Sequence, residues 1–211
     1  MWQLERNEGA LSLIKELVLA TRNRDKCAEL AALLGDLGIR LRTLDDFPEV
    51  PDVTEDGETC EANAVKKASA VARHTGLPAI ADDTGLQVDA LGGRPGVYAA
   101  RYAGETVSYA DNWRKLLREL EGVPREQRRA RFITVAAVAR PSAEKVEVVE
   151  GVLEGFIAEA PVGTQGFGYD PVFYVPELGK TLAQLTSDEK NRISHRARAV
   201  IKAKVLLRSM V

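Results

Sequence analysis

In the first half of the chain, short apolar runs alternate with stretches whose apolar residues recur at helical spacing. Leu17-Val-Leu-Ala20 reads as a buried strand. Beyond Thr21-Arg-Asn23, residues Cys27, Leu30, Ala31, Leu33 and Leu34 share one face of a helix that ends at Gly35 or Gly38. Ile39 to Leu44 reads as a second strand. This βαβ start predicts an α/β fold. Residues 1 to 15 show weak periodicity and are expected to form a loosely attached extension.

Farther along, Asp45 to Glu61 holds eight acids, no Lys or Arg, and the breakers Pro48, Pro51 and Gly57. That composition predicts a loop running into a helix over Thr59 to His74. A strand at 78–82 then delivers Asp82 and Asp83 to a turn, followed by a short strand at 85–89. Residues 108–120 form an amphipathic helix with Trp113, Leu116, Leu117 and Leu120 on its apolar face. Arg131 to Ala139 and Lys145 to Leu153 pair as antiparallel strands around Pro141-Ser142. Pro161 to Asp170 is a glycine-rich loop, Val172 to Val175 a short strand, and the remainder helical.

Composition narrows the function classes. A net charge of -2 over 211 residues gives no global attraction for nucleic acid. No apolar run approaches the ~20 residues that span a bilayer, and the N-terminal residues lack the apolar core of a signal peptide. Cys27 and Cys60 suit a reducing cytoplasm and read as small core fillers. Two His and two Cys, scattered over the chain, argue against a structural zinc site.

Four segments carry candidate chemistry. Thr21, Arg22, Asn23, Arg24, Asp25 and Lys26 lie between the first strand and first helix, where backbone N–H groups and polar side chains suit an anion; Asn23 acting only as a helix cap is the plainer alternative. The carboxylates Asp82 and Asp83 need a cation, hydrogen bonds or water, although Asp83-Thr84-Gly85 is also ordinary turn chemistry. Gly163 to Pro171 combines three glycines with Phe167 and Tyr169, offering close backbone approach and a stacking surface, or a loop anchored in the core. Thr186-Ser-Asp-Glu189 predicts a capping box. On one continuous helix Lys190 and His195 would point about 140° apart. A break at Ser194 lets Lys190, His195 and Arg196 converge. Seven Lys or Arg and no acid follow from Lys190 onward, a tail that also suits weak nucleic-acid binding.

These motifs, in this order, resemble the inosine triphosphate pyrophosphatase-like family, the XTP/dITP diphosphatases. The resemblance rests on Thr21-x-Asn23-x-x-Lys26-x-x-Glu29, Glu61-x-Asn63-Ala, Ala-Asp82-Asp83-Thr84-Gly85-Leu, Gly92-Gly93-x-Pro95-Gly96, Gly166-Phe-Gly-Tyr-Asp-Pro171 and Lys190-Asn-x-Ile-Ser194-His195-Arg196, from about Leu17 to Leu206. It implies an elongated mixed α/β fold, with a long central sheet flanked by helices that form two lobes around a cleft. Residues 16–211 would then be one domain. It further implies a cytoplasmic homodimer that uses Mg2+ to hydrolyse ITP, dITP and XTP to the monophosphate and pyrophosphate.

By the same resemblance Asp83 is the general base and a metal ligand, and Glu55 is the candidate for the second metal carboxylate. Thr21 to Lys26 and Lys190 bind phosphate, and Thr84 stands where serine is commoner. Phe167 to Asp170 (with Gly168 and Tyr169) form the substrate loop, Phe167 stacking on the base, while His195 and Arg196 read its 6-keto group. Donors facing C6 accept hypoxanthine or xanthine and oppose the amino group of adenine, a mismatch worth roughly 10⁴ in discrimination. Two alternatives stand beside this reading: a Maf-like pyrophosphatase acting on modified nucleotides, and a non-catalytic nucleotide or nucleic-acid binder.

Overall fold

A computed structural model describes residues 14–142 and 145–209; residues 1–13, most of the expected extension, lie outside the described residues. The strands are β1 (Glu16–Leu19), β2 (Arg40–Arg42), β3 (Ala79–Val88), β4 (Pro95–Gly96), β5 (Arg129–Ala139), β6 (Glu147–Ile157), β7 (Phe173–Val175) and β8 (Lys180–Thr181). They form one mixed sheet in the order β2-β1-β3-β5-β6-β7-β8, with β4 beside β3. β1 is parallel to both its neighbours, as a βαβ start requires, and the other pairs are antiparallel.

The helices are α1 (Arg24–Leu34), α2 (Cys60–Thr75), α3 (Tyr109–Glu119), α4 (Ser187–Ile193) and α5 (His195–Arg208). In α1 the expected apolar face buries Leu30 and Leu34, while Ala31 is exposed. The chain continues as a short 3-10 turn after Leu34 and stops at Gly38, whose φ of 68° is the left-handed conformation that glycine adopts without strain.

The turn expected between two short strands at Asp83 is absent. β3 runs unbroken for ten residues, paired with β5 from Ala79↔Ala139 to Val88↔Ala130. Local turn chemistry loses here because β5 offers an uninterrupted partner and because both aspartates find cationic partners.

Side-chain alternation along β3 and β5 builds three cores. Ile80, Ala136 and Val138 pack against α1 and α5 on one face; Ala79, Ala81, Val135 and Ala137 pack against α2 on the other. At the far end Leu86, Val88, Ala130 and Phe132 join α3 and Phe173 in the core of a second lobe. The two lobes therefore share β3 and β5. Ile14 is buried in the first of these cores.

Most charges of the C-terminal tail are spent on the fold. Arg198 and Lys202 donate to the carbonyls of Val152 and Glu150 along the outer edge of β6. This occupies acceptors that would otherwise template another strand. Lys204 and Arg208 pair with Asp36.

Candidate active site

β1 parts from β3 after Leu19↔Ile80, and β4 joins β3 only at Leu86↔Gly96. Between them, Ala81 to Gly85 pair with β5 alone, leaving one edge of a central strand open. A cavity of about 470 Å³ lies over this edge, between the two lobes. A gap beyond the carboxyl end of a parallel strand is where α/β sheets take ligands.

The open strand divides the aspartate pair. Successive side chains of a strand point to opposite faces, so Asp82 faces α1 and α5 while Asp83 faces α2. Asp82 is wholly buried, with Arg196 Nε at 3.1 Å and Lys26 Nζ at 3.3 Å from its Oδ2. Burial alone would raise this carboxyl, but Lys26, Arg196 and Lys67 hold it well below the usual carboxylate range. The Asp82 carbonyl, on the open edge, accepts from Lys67 at 2.8 Å and Lys26 at 3.4 Å.

On the opposite face, Asp83 accepts from Asn63 Nδ2 at 3.2 Å and lies 3.5 Å from Lys67 Nζ. The same ammonium holds Glu55 at 2.7 Å. Burial would lower Lys67, but Asp83, Asp82 and Glu55 hold its ammonium above the usual value. Asn63 Oδ1 also accepts from the Gly57 N–H at 2.8 Å, fixing the acidic loop against Asp83. Of the two acids in Thr54-Glu55-Asp56, Glu55 lines the cavity and Asp56 pairs with Lys66 on the exposed side.

Thr21, Arg22, Asn23 and Lys26 line the cavity beside the start of α1. Asn23 caps the helix, its Oδ1 accepting from the N–H groups of Asp25 and Lys26. It also presents its amide to the Tyr109 hydroxyl at 2.8 Å. Arg22 is braced by Asp52 at 2.6 Å and by the Val50 carbonyl. Arg24 and Asp25, expected with this segment, are exposed and do not line the cavity. Helical geometry turns these first-turn residues outward, and Asp25 instead accepts from Tyr109 at 3.3 Å.

At the other end, the predicted break is present. Thr186 and Glu189 form the capping box of α4, and Ser194 ends α4 and caps α5 through a hydrogen bond from the Ala197 N–H. Lys190 meets Glu29 at 2.8 Å and Asp170 more closely, beneath the Phe167 ring at 4.8 Å. Arg196 lies 5.4 Å from the same ring and also pairs with Glu29. Asp170 accepts from the Phe167 N–H at 2.9 Å and from Lys190, yet burial keeps its carboxyl above the usual value. Tyr169 is buried, its hydroxyl donating to the Ala99 carbonyl at 2.8 Å. Phe167 and Gly168 remain half-buried along the cavity.

His195 is buried against Phe132, ring centroids 4.4 Å apart, with Nδ1 2.6 Å from the Thr134 hydroxyl. Thr134 in turn lies 2.7 Å from Thr84, which accepts from Arg196 at 3.2 Å. Burial, with the Arg196 and Lys190 charges nearby, lowers the His195 imidazole well below its usual value. The ring is neutral at pH 7.

Five contributors were not assigned from the sequence. Lys67 follows Asn63 by four residues on α2, so the two share a helix face, and that spacing was a usable signal. Glu29 and Asn63 sat within recognised motifs without a role. Thr134 and Tyr109 depend on strand register and interlobe packing, which local pattern does not encode.

The chain is similar to known proteins over most of its length. A protein of Geobacillus kaustophilus named dITP/XTP pyrophosphatase is 58% identical over 189 residues, covering 90% of this chain and 92% of its own. A Geobacter sulfurreducens protein of the same name is 53% identical, covering 87% and 92%. The structure of a HAM1 protein from Coxiella burnetii superposes with a TM-score of 0.84 at 43% identity, covering 93% of this chain and 100% of that one. The Staphylococcus aureus Ham1 structure gives 0.82 at 40% identity, with the same coverage of both chains. With the Ham1 family profile also matching residues 17–205, the chain belongs to the Ham1 family.

Proposed function

We propose that this protein hydrolyses the non-canonical purine triphosphates dITP, XTP and ITP to the nucleoside monophosphate and pyrophosphate. The observation that carries this reading is the division of Asp82 and Asp83 across the open edge of β3. On the α2 side of the cavity the carboxylates Asp83 and Glu55 meet at Lys67, and on the α1 and α5 side Asp82 gathers Lys26 and Arg196 beside the buried His195. The names of the relatives, dITP/XTP pyrophosphatase, agree with it.

In this reading the triphosphate lies along Thr21, Arg22, Asn23 and Lys26 at the amino end of α1, where donors and the helix dipole favour an anion. The base lies under Phe167, with Lys190 adding positive charge at that end. Asp83 takes a proton from a water whose oxygen bonds the α-phosphorus, and the bond from that phosphorus to the oxygen bridging to the β-phosphorus breaks, releasing pyrophosphate. Glu55 and Asp83 both face the Lys67 ammonium, so they already form a site for positive charge. Two carboxylates plus phosphate oxygens are the donor set that Mg2+ takes. No three His, Cys, Asp or Glu side chains converge as a metal cage among the described residues, which fits an ion carried in with the nucleotide. Asp83 and Glu55 would hold Mg2+ there, and the ion would supply positive charge against the phosphate oxygens.

Homodimer formation and a cytoplasmic setting belong to the same reading. No helix of the described residues is long and apolar enough to cross a membrane. Pyrophosphate release from dITP, XTP, dGTP and dATP, with and without Mg2+, tests the activity. Strong preference for dITP and XTP is expected, and His195→Ala should harm dITP turnover more than dATP turnover. Comparable release from all four nucleotides would overturn the assignment.

A further inference from the structure

We propose that Thr134, through a hydroxyl relay from Arg196, fixes the tautomer of His195 and so sets the preference for a 6-oxo purine. The inference rests on the reading above and adds a specificity-determining residue to it.

Donor and acceptor counts fix the first step of the relay, and the rest belongs to the proposal. A guanidinium only donates, so the Arg196 contact of 3.2 Å uses the Thr84 oxygen as acceptor. The Thr84 proton then has two destinations, the Asp82 carboxylate at 3.4 Å or the Thr134 oxygen at 2.7 Å. The 2.7 Å contact has the length of a full O–H···O bond and the 3.4 Å contact does not; either threonine could donate across the shorter one, and in the proposed relay the donor is Thr84. Thr134 spends its own proton on His195 Nδ1 at 2.6 Å. With Nδ1 accepting, a neutral ring must carry its proton on Nε2.

Nε2 has no hydrogen-bond partner among the described residues, and His195 lines the cavity. It therefore offers an N–H there, beside the donors of Arg196. A carbonyl at C6 of a purine accepts from this pair, whereas an amino group meets donor against donor. The opposite tautomer would present an acceptor and welcome adenine.

Backbone register puts Thr134 in place. It stands directly across from Thr84 in the β3–β5 pairing, on the face that carries Asp82. Thr134 is fully buried, so its hydroxyl has no solvent to bond instead.

The test begins with the wild-type chain labelled with ¹⁵N-histidine, whose two histidines are separated by comparison with His195→Gln. Long-range ¹H–¹⁵N spectra should show protonated Nε2 and unprotonated Nδ1 at His195; the reverse pattern overturns the relay. Thr134→Val, which keeps the shape and removes the hydroxyl, should lower the ratio of kcat/KM for dITP over dATP about tenfold, the scale of one net hydrogen bond. Thr134→Ser should restore it. An unchanged ratio in Thr134→Val overturns the specificity role. A wild-type enzyme indifferent to dITP and dATP would sink the functional reading, while the spectrum still decides the relay.

Discussion

The Glu29 carboxylate holds Lys190 through one oxygen and Arg196 through the other, tying α1 to both sides of the break at Ser194. Two buried cations near each other repel unless acids separate them, and Glu29 shares that duty with Asp82 and Asp170. Glu29→Gln should therefore cost about 2–3 kcal/mol, less than the ~3–5 of a buried pair stripped completely, because the two aspartates remain. Urea unfolding measures it, with the exposed Glu154→Gln as a control near zero.

The buried imidazole makes stability pH-dependent. His195 stays neutral in the folded chain while the unfolded chain gains a proton below about pH 6.5. The unfolded state then binds more protons, so stability falls as pH falls, by up to about 1.4 kcal/mol per unit. Urea midpoints between about pH 6 and pH 5 should show this slope in the wild type and lose it in His195→Gln. Asp82 adds a second loss at lower pH, since its depressed carboxyl stabilises the fold above the unfolded value near ~4 and that contribution fades as pH drops below it.

Much of the fold was readable because short-range patterns and tertiary structure agree. The βαβ start, α2, α3, the β5–β6 pair and the break at Ser194 all carry local signals: period, caps or breakers. β3 was misread because Asp82-Asp83-Thr84-Gly85 looks like a turn when neighbours along the chain are the only evidence. The partners that stabilise an extended backbone there, Lys26, Lys67 and Arg196, come from three different helices. The site followed the same rule. Residues within recognisable motifs gathered at the cavity, while Arg24 and Asp25 did not, since adjacency in sequence does not place side chains on one side of a helix. Thr134 carries no local signal at all; only the register of β5 gives it a role.

Gly166 supports the substrate loop through its missing side chain. Its φ is 73°, and an added Cβ would collide with Asp170 Oδ2, the oxygen that accepts from the Phe167 N–H. Gly166→Ala should strain the backbone by roughly 1–3 kcal/mol and push Asp170 off both Phe167 and Lys190. A raised KM for dITP with a smaller change in kcat is the expected result, because the proposed function puts this loop at the base and away from the reacting phosphorus. A pure loss of kcat would place the loop's contribution at the chemical step instead.

Asp83→Asn removes the proposed base while keeping the side chain's shape. Its amide can still meet Asn63, and Lys67 keeps Glu55 and the Asp82 carbonyl, so the fold should survive with a nearly unchanged melting temperature. Loss of general-base assistance typically removes 10²–10⁴-fold of rate, so kcat should drop by about 10³. Affinity for a non-hydrolysable dITP analogue, measured calorimetrically without metal, should change little or improve, since a carboxylate no longer faces the phosphates. Turnover that persists in this variant would move catalysis away from Asp83 and leave Glu55 as the remaining carboxylate in reach of Lys67.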